Sequence, residues 1–418
     1  MTSESTPPGR TNRRILLVDC DMFFVQVARM EDPDGAGRTP LLIVGGSSTG
    51  RGVVTSASYE VRRFGVRSGM PTATALRLCP EATVVGVPRE ACSRRSRDVR
   101  EALEALAPVV QAASIDEFYL DLSGTERLWA GESFAESARR IRLAVKERTG
   151  VSVSIGGGTN RLIAKLAARR AKPAGEFVVP PGGEGAFLRE LELEELPGVG
   201  PALLATLRKQ GFHRVEELLP VPEGVLAQWV GENRAAWLHS RIRGVDSTAV
   251  VTGEPRKSVS AERTFRRDID DDDRLEAILL KLATRVGAAL RSEGLRARTV
   301  TVKIRDGDFT TRSGSRSVDR GVESDHALFD LARPLLVSLR SRRRVGTRLL
   351  GLGAGNLTEE DEPGQLGLFP EDGSTSGDAP VESPRDRAIS RAVDDLNSRF
   401  GRQTVLPARI IPPDPDLG

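Results

Sequence analysis

Two short stretches place carboxylates where an apolar run would otherwise continue. In RRILLVDCDMFF (residues 13–24), apolar residues 15–18 lead straight into Asp19 and Asp21. In VVQAASIDEFYLDL (residues 109–122), apolar and β-prone residues flank Asp116 and Glu117. An unpaired carboxylate is costly to bury, so each acid needs a positive partner or an exposed turn. A continuous strand would send Asp116 and Glu117 to opposite faces. A two-residue hairpin tip at Asp116-Glu117 projects both from one sheet edge instead, and a strand over residues 14–19 lying alongside adds Asp19 to them. Three converging carboxylates raise each other's pKa. Hard divalent cations are the usual remedy, and Mg²⁺ keeps waters and takes substrate phosphates as further ligands. Two such ions, about 3.5–4 Å apart, clamp the attacking and leaving oxygens of an in-line phosphoryl displacement.

By itself, Asp-Glu at a hairpin tip is usually a solvated turn, and Asp-x-Asp after an apolar strand is a weak signal. The accompanying cations sharpen it. SYEVRRFG carries Tyr59, Arg62 and Arg63, and NRLIAKLAARRAKP carries Arg161, Lys165 and Lys172. Arg62 suits a bidentate phosphate contact, Tyr59 offers a hydroxyl donor, and Lys165 supplies a point charge. Arg161 and Lys165, four apart on a helix, share a face, which a solvated helical surface explains equally well. Combined with three candidate metal ligands, the set points to a triphosphate.

These residues need a scaffold of several domains, since 418 residues exceed one ordinary core. Strands alternating with helices up to residue 178 read as an α/β or α+β layer. A helical module follows at LEELPGVGPALLATLRKQGF, then an extended tether around residues 245–257. Residues 258–355 read strand, long helix, two strands, helix, strand, and a last helix is expected over residues 384–400. The net charge of +3 is unevenly spread. Residues 256–350 hold 22 Lys and Arg against 14 Asp and Glu, whereas residues 359–382 hold eight acids and no Lys or Arg. A basic module followed by an acidic, Pro/Gly/Ser-rich strip suggests a polyanion-binding domain and a disordered linker. Cys20, Cys79 and Cys92 form no disulfide framework or zinc pattern, and the three His are isolated. The N-terminus has no signal-peptide core and no apolar run is long enough to span a membrane, so a cytoplasmic setting is expected.

LLVDCDMFF, SYEVRRFGVRSGMP, SIDEFYLDL, NRLIAKLAARRAKP and LPGVGPALLATL occur in the order and spacing of Y-family DNA polymerases. The resemblance continues through KSVSAERTF to about residue 356, and the branch it resembles is the bacterial translesion one. It implies an α+β multidomain chain shaped as a right-hand polymerase. After a disordered lead-in (1–13), residues 14–21 and 88–178 would be the palm, 22–87 the fingers, 179–246 a helical thumb, 247–256 a linker and 257–356 a little finger. Asp19, Asp116, Glu117 and the Cys20 carbonyl would hold two Mg²⁺ ions. Phe24 matches the steric gate that excludes a 2′-hydroxyl, with Phe23 either beside the nucleotide or in the core. Tyr59, Arg62 and Lys165 match triphosphate contacts, and Val54, Thr55 and Ser56 fall where small residues cover the incoming base pair. Gly198 and Gly200 in LPGVG fit a helix-hairpin-helix turn whose backbone N–H groups approach a DNA phosphate. Lys257, Arg312 and Arg316 are the little finger's candidate DNA contacts. Two positions depart from the pattern: Cys92 where Tyr is usual, and Gly314 where a DNA-contacting Arg is common.

QLGLF, residues 365–369, sits inside the acidic linker that spans 357–383. Gln365, Leu366, Leu368 and Phe369 resemble the sliding-clamp motif of bacterial polymerases, an apolar plug that orders on binding. Residues 384–418 have no assigned role. The expected partners are primer–template DNA, dNTP and the clamp, for a monomer that does not associate with membranes. The expected activity is error-prone, template-directed DNA synthesis. A catalytically silent scaffold would have lost the carboxylates, and a two-metal nuclease would leave the gate and triphosphate residues unexplained.

Overall fold

The computed structural model describes residues 13–128, 131–253, 255–359, 382–401 and 404–405. The chain separates into two compact units that divide between residues 254 and 255.

The first unit opens with β1 (Ile15–Cys20), α1 (Phe23–Glu31), β2 (Leu42–Gly45), β3 (Val54–Ala57), α2 (Tyr59–Arg62), α3 (Thr72–Leu78) and β4 (Thr83–Val85). It continues with α4 (Arg89–Glu104), β5 (Val109–Ala112), β6 (Glu117–Asp121), α5 (Phe134–Thr149), β7 (Val153–Gly158), α6 (Arg161–Ala171) and β8 (Glu176–Val178). Five helices close it: α7 (Glu184–Arg189), α8 (Pro201–Lys209), α9 (Val215–Leu218), α10 (Glu223–Val230) and α11 (Glu232–Ile242). The central sheet runs β5-β6-β1-β7-β8, and a second, smaller sheet runs β3-β2-β4.

The unbroken apolar run of β1 has a simple cause: both of its faces are covered. Leu16, Val18 and Cys20 enter a core with Val99, Leu103, Ile141 and Val145 from α4 and α5. Ile15 and Leu17 point the other way, onto Ala164 and Ala168 of α6. By the same alternation Asp19 faces α6. Helix α6 can approach this closely because β7 presents Gly156, where an added Cβ would lie 2.0 Å from the Ala168 nitrogen and 2.2 Å from the Ala164 carbonyl oxygen.

Two segments link neighbouring parts of the unit. The core of the closing helices includes Leu162, Ile163 and Leu166 of α6, so α6 serves the central sheet and the helical module together. The first half of the expected tether is docked. Val250 is buried, the Asp246 carboxylate accepts from the Leu162 N–H, and the Val251 N–H donates to Gln111.

The second unit contains β9 (Ser258–Ile269), α12 (Asp272–Ser292), β10 (Leu295–Asp306), β11 (Thr311–Val322), α13 (Asp325–Arg342), β12 (Thr347–Glu359) and α14 (Pro384–Phe400). Its antiparallel sheet is ordered β11-β10-β12-β9. Val300, Val302 and Ile304 of β10 pack with α12 and α13 on one face. Helix α14, expected from the sequence but without a role there, is pinned to this unit by charge. Asp394 pairs with Arg291, Arg391 pairs with the buried Glu323 at 2.7 Å, and Glu382 accepts from the N–H groups of Glu323 and Ser324. Residues 1–12 and 360–381, including the QLGLF segment, lie outside the described residues.

Gly156→Val tests the close approach of α6 to the sheet. The added atoms collide with backbone rather than with movable side chains. The expected loss is about 3 kcal/mol or more, read as a lowered denaturant midpoint. A midpoint equal to wild type would refute the packing account.

Candidate active site

The acids come together through strand pairing. Strands β1 and β6 are antiparallel with Asp19 opposite Glu117, so both carboxylates lie on the face that α6 covers. The Cys20 N–H donates to the Asp116 carbonyl at 2.9 Å, tying the turn to the end of β1. That turn differs from the expected two-residue tip. Ladder pairing between β5 and β6 ends at Ala112 opposite Phe118, so the turn spans residues 113–116 and Glu117 already belongs to the strand. The Ser114 hydroxyl accounts for the extra length. It accepts from the N–H groups of Asp116 and Glu117 and donates to Asp116 Oδ1 at 2.5 Å.

Each strand-borne carboxylate has a lysine counter-charge. Lys165 Nζ donates to Glu117 Oε1 and Oε2 at 2.9 and 2.7 Å. Lys172 Nζ lies 2.7 Å from Asp19 Oδ1. Burial pushes the Asp19 carboxyl up to about 6 against the pull of Lys172, and the charges of Glu117 and Asp116 push the same way. Among the described residues no three acid, His or Cys side chains already stand in the geometry of a metal centre. The donor set nevertheless fits a hard divalent cation. It supplies carboxylate oxygens that feel one another's charge, with lysines occupying the place of the positive partner.

From the fingers, the Tyr59 hydroxyl donates to Asp21 Oδ1 at 3.1 Å. Burial, with Asp21 beside it, pushes the Tyr59 phenol up, so it remains a protonated donor. The Arg62 guanidinium stacks over the Tyr59 ring at 5.0 Å while its Nε donates to the Ala57 carbonyl at 3.0 Å. Val54 and Ser56 on β3 are buried, and Thr55 between them is half-buried. Phe23 is 1% exposed, which assigns its ring to the core and leaves only its backbone for a nucleotide. Phe24 is half-buried and meets Phe23 edge to face, centroids 5.6 Å apart.

Residues 18–169 match the impB/mucB/samB family, and residues 256–368 match the C-terminal domain of that family. The chain is similar to a DNA polymerase IV of Halorhodospira halophila, 37% identical over 83% of this chain and 96% of that one. A DNA polymerase IV of Dehalococcoides mccartyi is 35% identical over 95% of this chain and 97% of its own length. A solved Y-family DNA polymerase chimera of Dbh and Dpo4 aligns with a TM-score of 0.74 at 27% identity, covering 83% of this chain and 99% of the chimera. The chain belongs to the Y-family DNA polymerases. An insertion ternary complex of Dbh DNA polymerase, a second structure of this family, aligns at a TM-score of 0.60 with 26% identity, over 83% of this chain and 99% of that one.

The remaining candidate residues fare unevenly in this Y-family chain. Arg161 does not join Lys165 at the acids. It reaches Gln111 and the Ala249 carbonyl and lies over the Tyr119 ring, fastening the docked tether. Gly198 has φ +99°, and a Cβ there would meet Trp237 at 2.5 Å, so glycine is required. Gly200 caps α8 ahead of Pro201, with the first-turn N–H groups following. Cys92 is buried in the palm core, in the same cluster as Phe23. Lys257 and Arg316 are exposed.

Arg312 is a correction. Its guanidinium donates to both oxygens of Asp306 at 2.9 and 3.1 Å and to the Leu339 carbonyl. Because the Asp306 side chain is completely buried, Arg312 serves as its counter-charge, not as a surface cation for DNA. Gly314, two residues on, faces α13 through Leu335. Sequence reasoning also missed the opposite sheet face, where Thr299 pairs with Ser317 and Thr301 with Ser315 through their hydroxyls. The alternating serines of RSGSRSV were the available signal.

Replacing Arg312 with Ala leaves Asp306 with Arg343 alone. A loss of about 2–3 kcal/mol is expected, visible as a lowered melting transition. Unchanged stability with weakened DNA binding would restore the surface reading.

Proposed function

We propose that the protein extends a DNA primer on a template strand with dNTPs, releasing pyrophosphate, as an error-prone polymerase of the translesion type. The observation that carries this is the pairing of Asp19 with Glu117 across two strands, with Lys165 and Lys172 facing them. Asp19, Asp116, Glu117 and the Cys20 carbonyl would hold two Mg²⁺ ions. When bound, such ions lower the pKa of the primer 3′-hydroxyl and neutralise charge on the leaving pyrophosphate.

The protein's own groups bind and orient. Arg62 is exposed beside Tyr59 and offers two terminal amino groups to phosphate oxygens. Lys165 and Lys172 already lie against the acids, so the triphosphate enters a site whose positive charge is built in. Phe24, half-buried against Phe23, is the surface that a 2′-hydroxyl would strike. Buried Val54 and Ser56 leave a low wall over the nascent base pair, in keeping with tolerance of damaged templates. The first-turn N–H groups of α8, beyond Gly200, suit a backbone phosphate. Lys257, Arg316 and the hydroxyl-bearing sheet face suit sequence-independent contacts of the same kind. Residues 365–369 would recruit a sliding clamp to a monomeric enzyme. The buried, unpaired Cys20, Cys79 and Cys92 suit a reducing cytoplasm.

Primer extension with Mg²⁺ and dNTPs tests the central reading. Wild type should extend and Asp116→Ala should not; extension by both removes the carboxylate assignment, and extension by neither removes the activity. Phe24→Ala should incorporate ribonucleotides more readily, and an unchanged preference for dNTPs would reassign the gate. Divalent-ion binding carries a pH signature as well. Asp19 is protonated below about 6 and ionised above it, so Mn²⁺ affinity should weaken about tenfold per unit below that value as binding displaces one proton. Calorimetry in two buffers of different ionisation enthalpy reads both the affinity and the proton. Affinity that stays flat from acid to neutral pH would exclude Asp19 as a ligand.

A further inference from the structure

Asp21 is buried at 2% exposure two residues beyond Asp19, and the chemistry above gives it no part. Its carboxylate accepts four hydrogen bonds. On Oδ1 these come from the Tyr59 hydroxyl at 3.1 Å and the Ser154 hydroxyl at 2.7 Å. On Oδ2 they come from the Ser152 hydroxyl at 3.1 Å and the Ala174 N–H at 3.0 Å. A carboxylate has about four acceptor sites, so Asp21 keeps none for a cation. Its backbone is fixed too. The Asp21 N–H donates to the Ser152 carbonyl, and the Gln26 amide donates to the carbonyls of Asp21 and Ser152.

The four donors belong to separate parts of the unit. Tyr59 opens α2 in the fingers. Ser152 stands just before β7 and Ser154 within it. Ala174 lies in the turn after α6, where its φ of +54° is unfavourable for a residue with a side chain. Each outer donor carries a charge with it. The Tyr59 ring supports Arg62. The turn that includes Ala174 starts from Lys172, which reaches Asp19.

We propose that Asp21 is a positioning residue for nucleotidyl transfer. This one buried carboxylate sets both the fingers arm, Tyr59 with Arg62, and the palm arm, Lys172, against the place of the triphosphate, touching neither metal nor substrate. The inference rests on the polymerase reading and adds to it the residue that aligns the two arms. Asp21→Asn keeps the shape but turns one acceptor oxygen into an N–H₂ group. Facing the Tyr59 and Ser154 hydroxyls, that group would reverse their hydrogen bonds, and facing the Ala174 N–H it would oppose a donor; in either orientation the charge that strengthens all four bonds is lost.

The test uses the full chain on a dideoxy-terminated primer–template, where dNTP binding is followed by fluorescence without chemistry, beside rapid-quench kinetics on an extendable primer. Asp21→Asn should raise the dNTP dissociation constant about tenfold, the loss of charge-assisted hydrogen bonds, with primer–template affinity kept within about twofold. Tyr59→Phe should weaken dNTP binding less, and the double variant should match Asp21→Asn alone, because the phenol acts through the carboxylate. A purely structural Asp21 would lower the melting temperature and leave the dNTP constant at the wild-type value, which overturns the proposal, as would effects that multiply in the double variant. Should Asp21→Asn fail to fold, Ser154→Ala loosens the same carboxylate more gently. It should raise the dNTP constant about threefold, and an unchanged constant overturns the proposal. Wild type that binds primer–template but neither binds nor incorporates dNTP refutes the polymerase reading itself, an outcome separate from any behaviour of the variants.

Discussion

Everything in the catalytic unit depends on keeping ionised carboxylates at the ends of two buried strands. Asp19 continues a strand whose preceding residues are sealed on both faces, so its charge is held where water is scarce. The solution is local: α6 and the turn after it bring Lys165 and Lys172 to Glu117 and Asp19. This works only because α6 lies almost in contact with β7, at a distance that Gly156 permits. A side chain at that position would lift the helix and take the lysines with it. The packing of one glycine and the charge state of the site are therefore parts of the same constraint.

The second unit solves the same problem with a different residue. Buried Asp306 is matched by Arg312 of the neighbouring strand and Arg343 just after α13, and buried Glu323 by Arg296 of β10 and Arg391 of α14. Arginine suits these places because a planar fork satisfies two oxygens at once and stays charged when buried. The basic character of this unit is thus partly an internal matter. Of its many arginines, some neutralise the core, and those left at the surface, such as Arg316, are the ones available to a polyanion.

Much of this was legible in the sequence. The apolar runs leading into Asp19 and flanking Asp116-Glu117 marked strand ends, and the length and alternation of the later segments marked the long helices and the four-stranded sheet. What escaped notice depended on partners distant in the chain. The hairpin turn is longer than expected because the Ser114 hydroxyl competes for backbone N–H groups, which hydrophobic patterning does not register. Arg312 read as a surface cation because its partners, Asp306 and the Leu339 carbonyl, are brought to it by strand register and by α13. Asp21 looked like half of a weak Asp-x-Asp signal, and its four donors are spread from residue 59 to residue 174. Residues 246–251 read as a tether because a few contacts hold them down, through Asp246, Ala249, Val250 and Val251, on ground supplied by α6 and the palm sheet.

The docking of α14 changes what kind of object the acidic segment is. Glu359 ends a strand of the second unit and Glu382 is bonded to the start of α13 in the same unit. Both flanks of the acidic segment are thus fastened to one body. One break in the backbone there would not release the helix, since its ion pairs with Arg291 and Glu323 need no covalent link. The nicked protein would stay whole, because Arg291 and Glu323 are buried and salt screens such pairs only weakly.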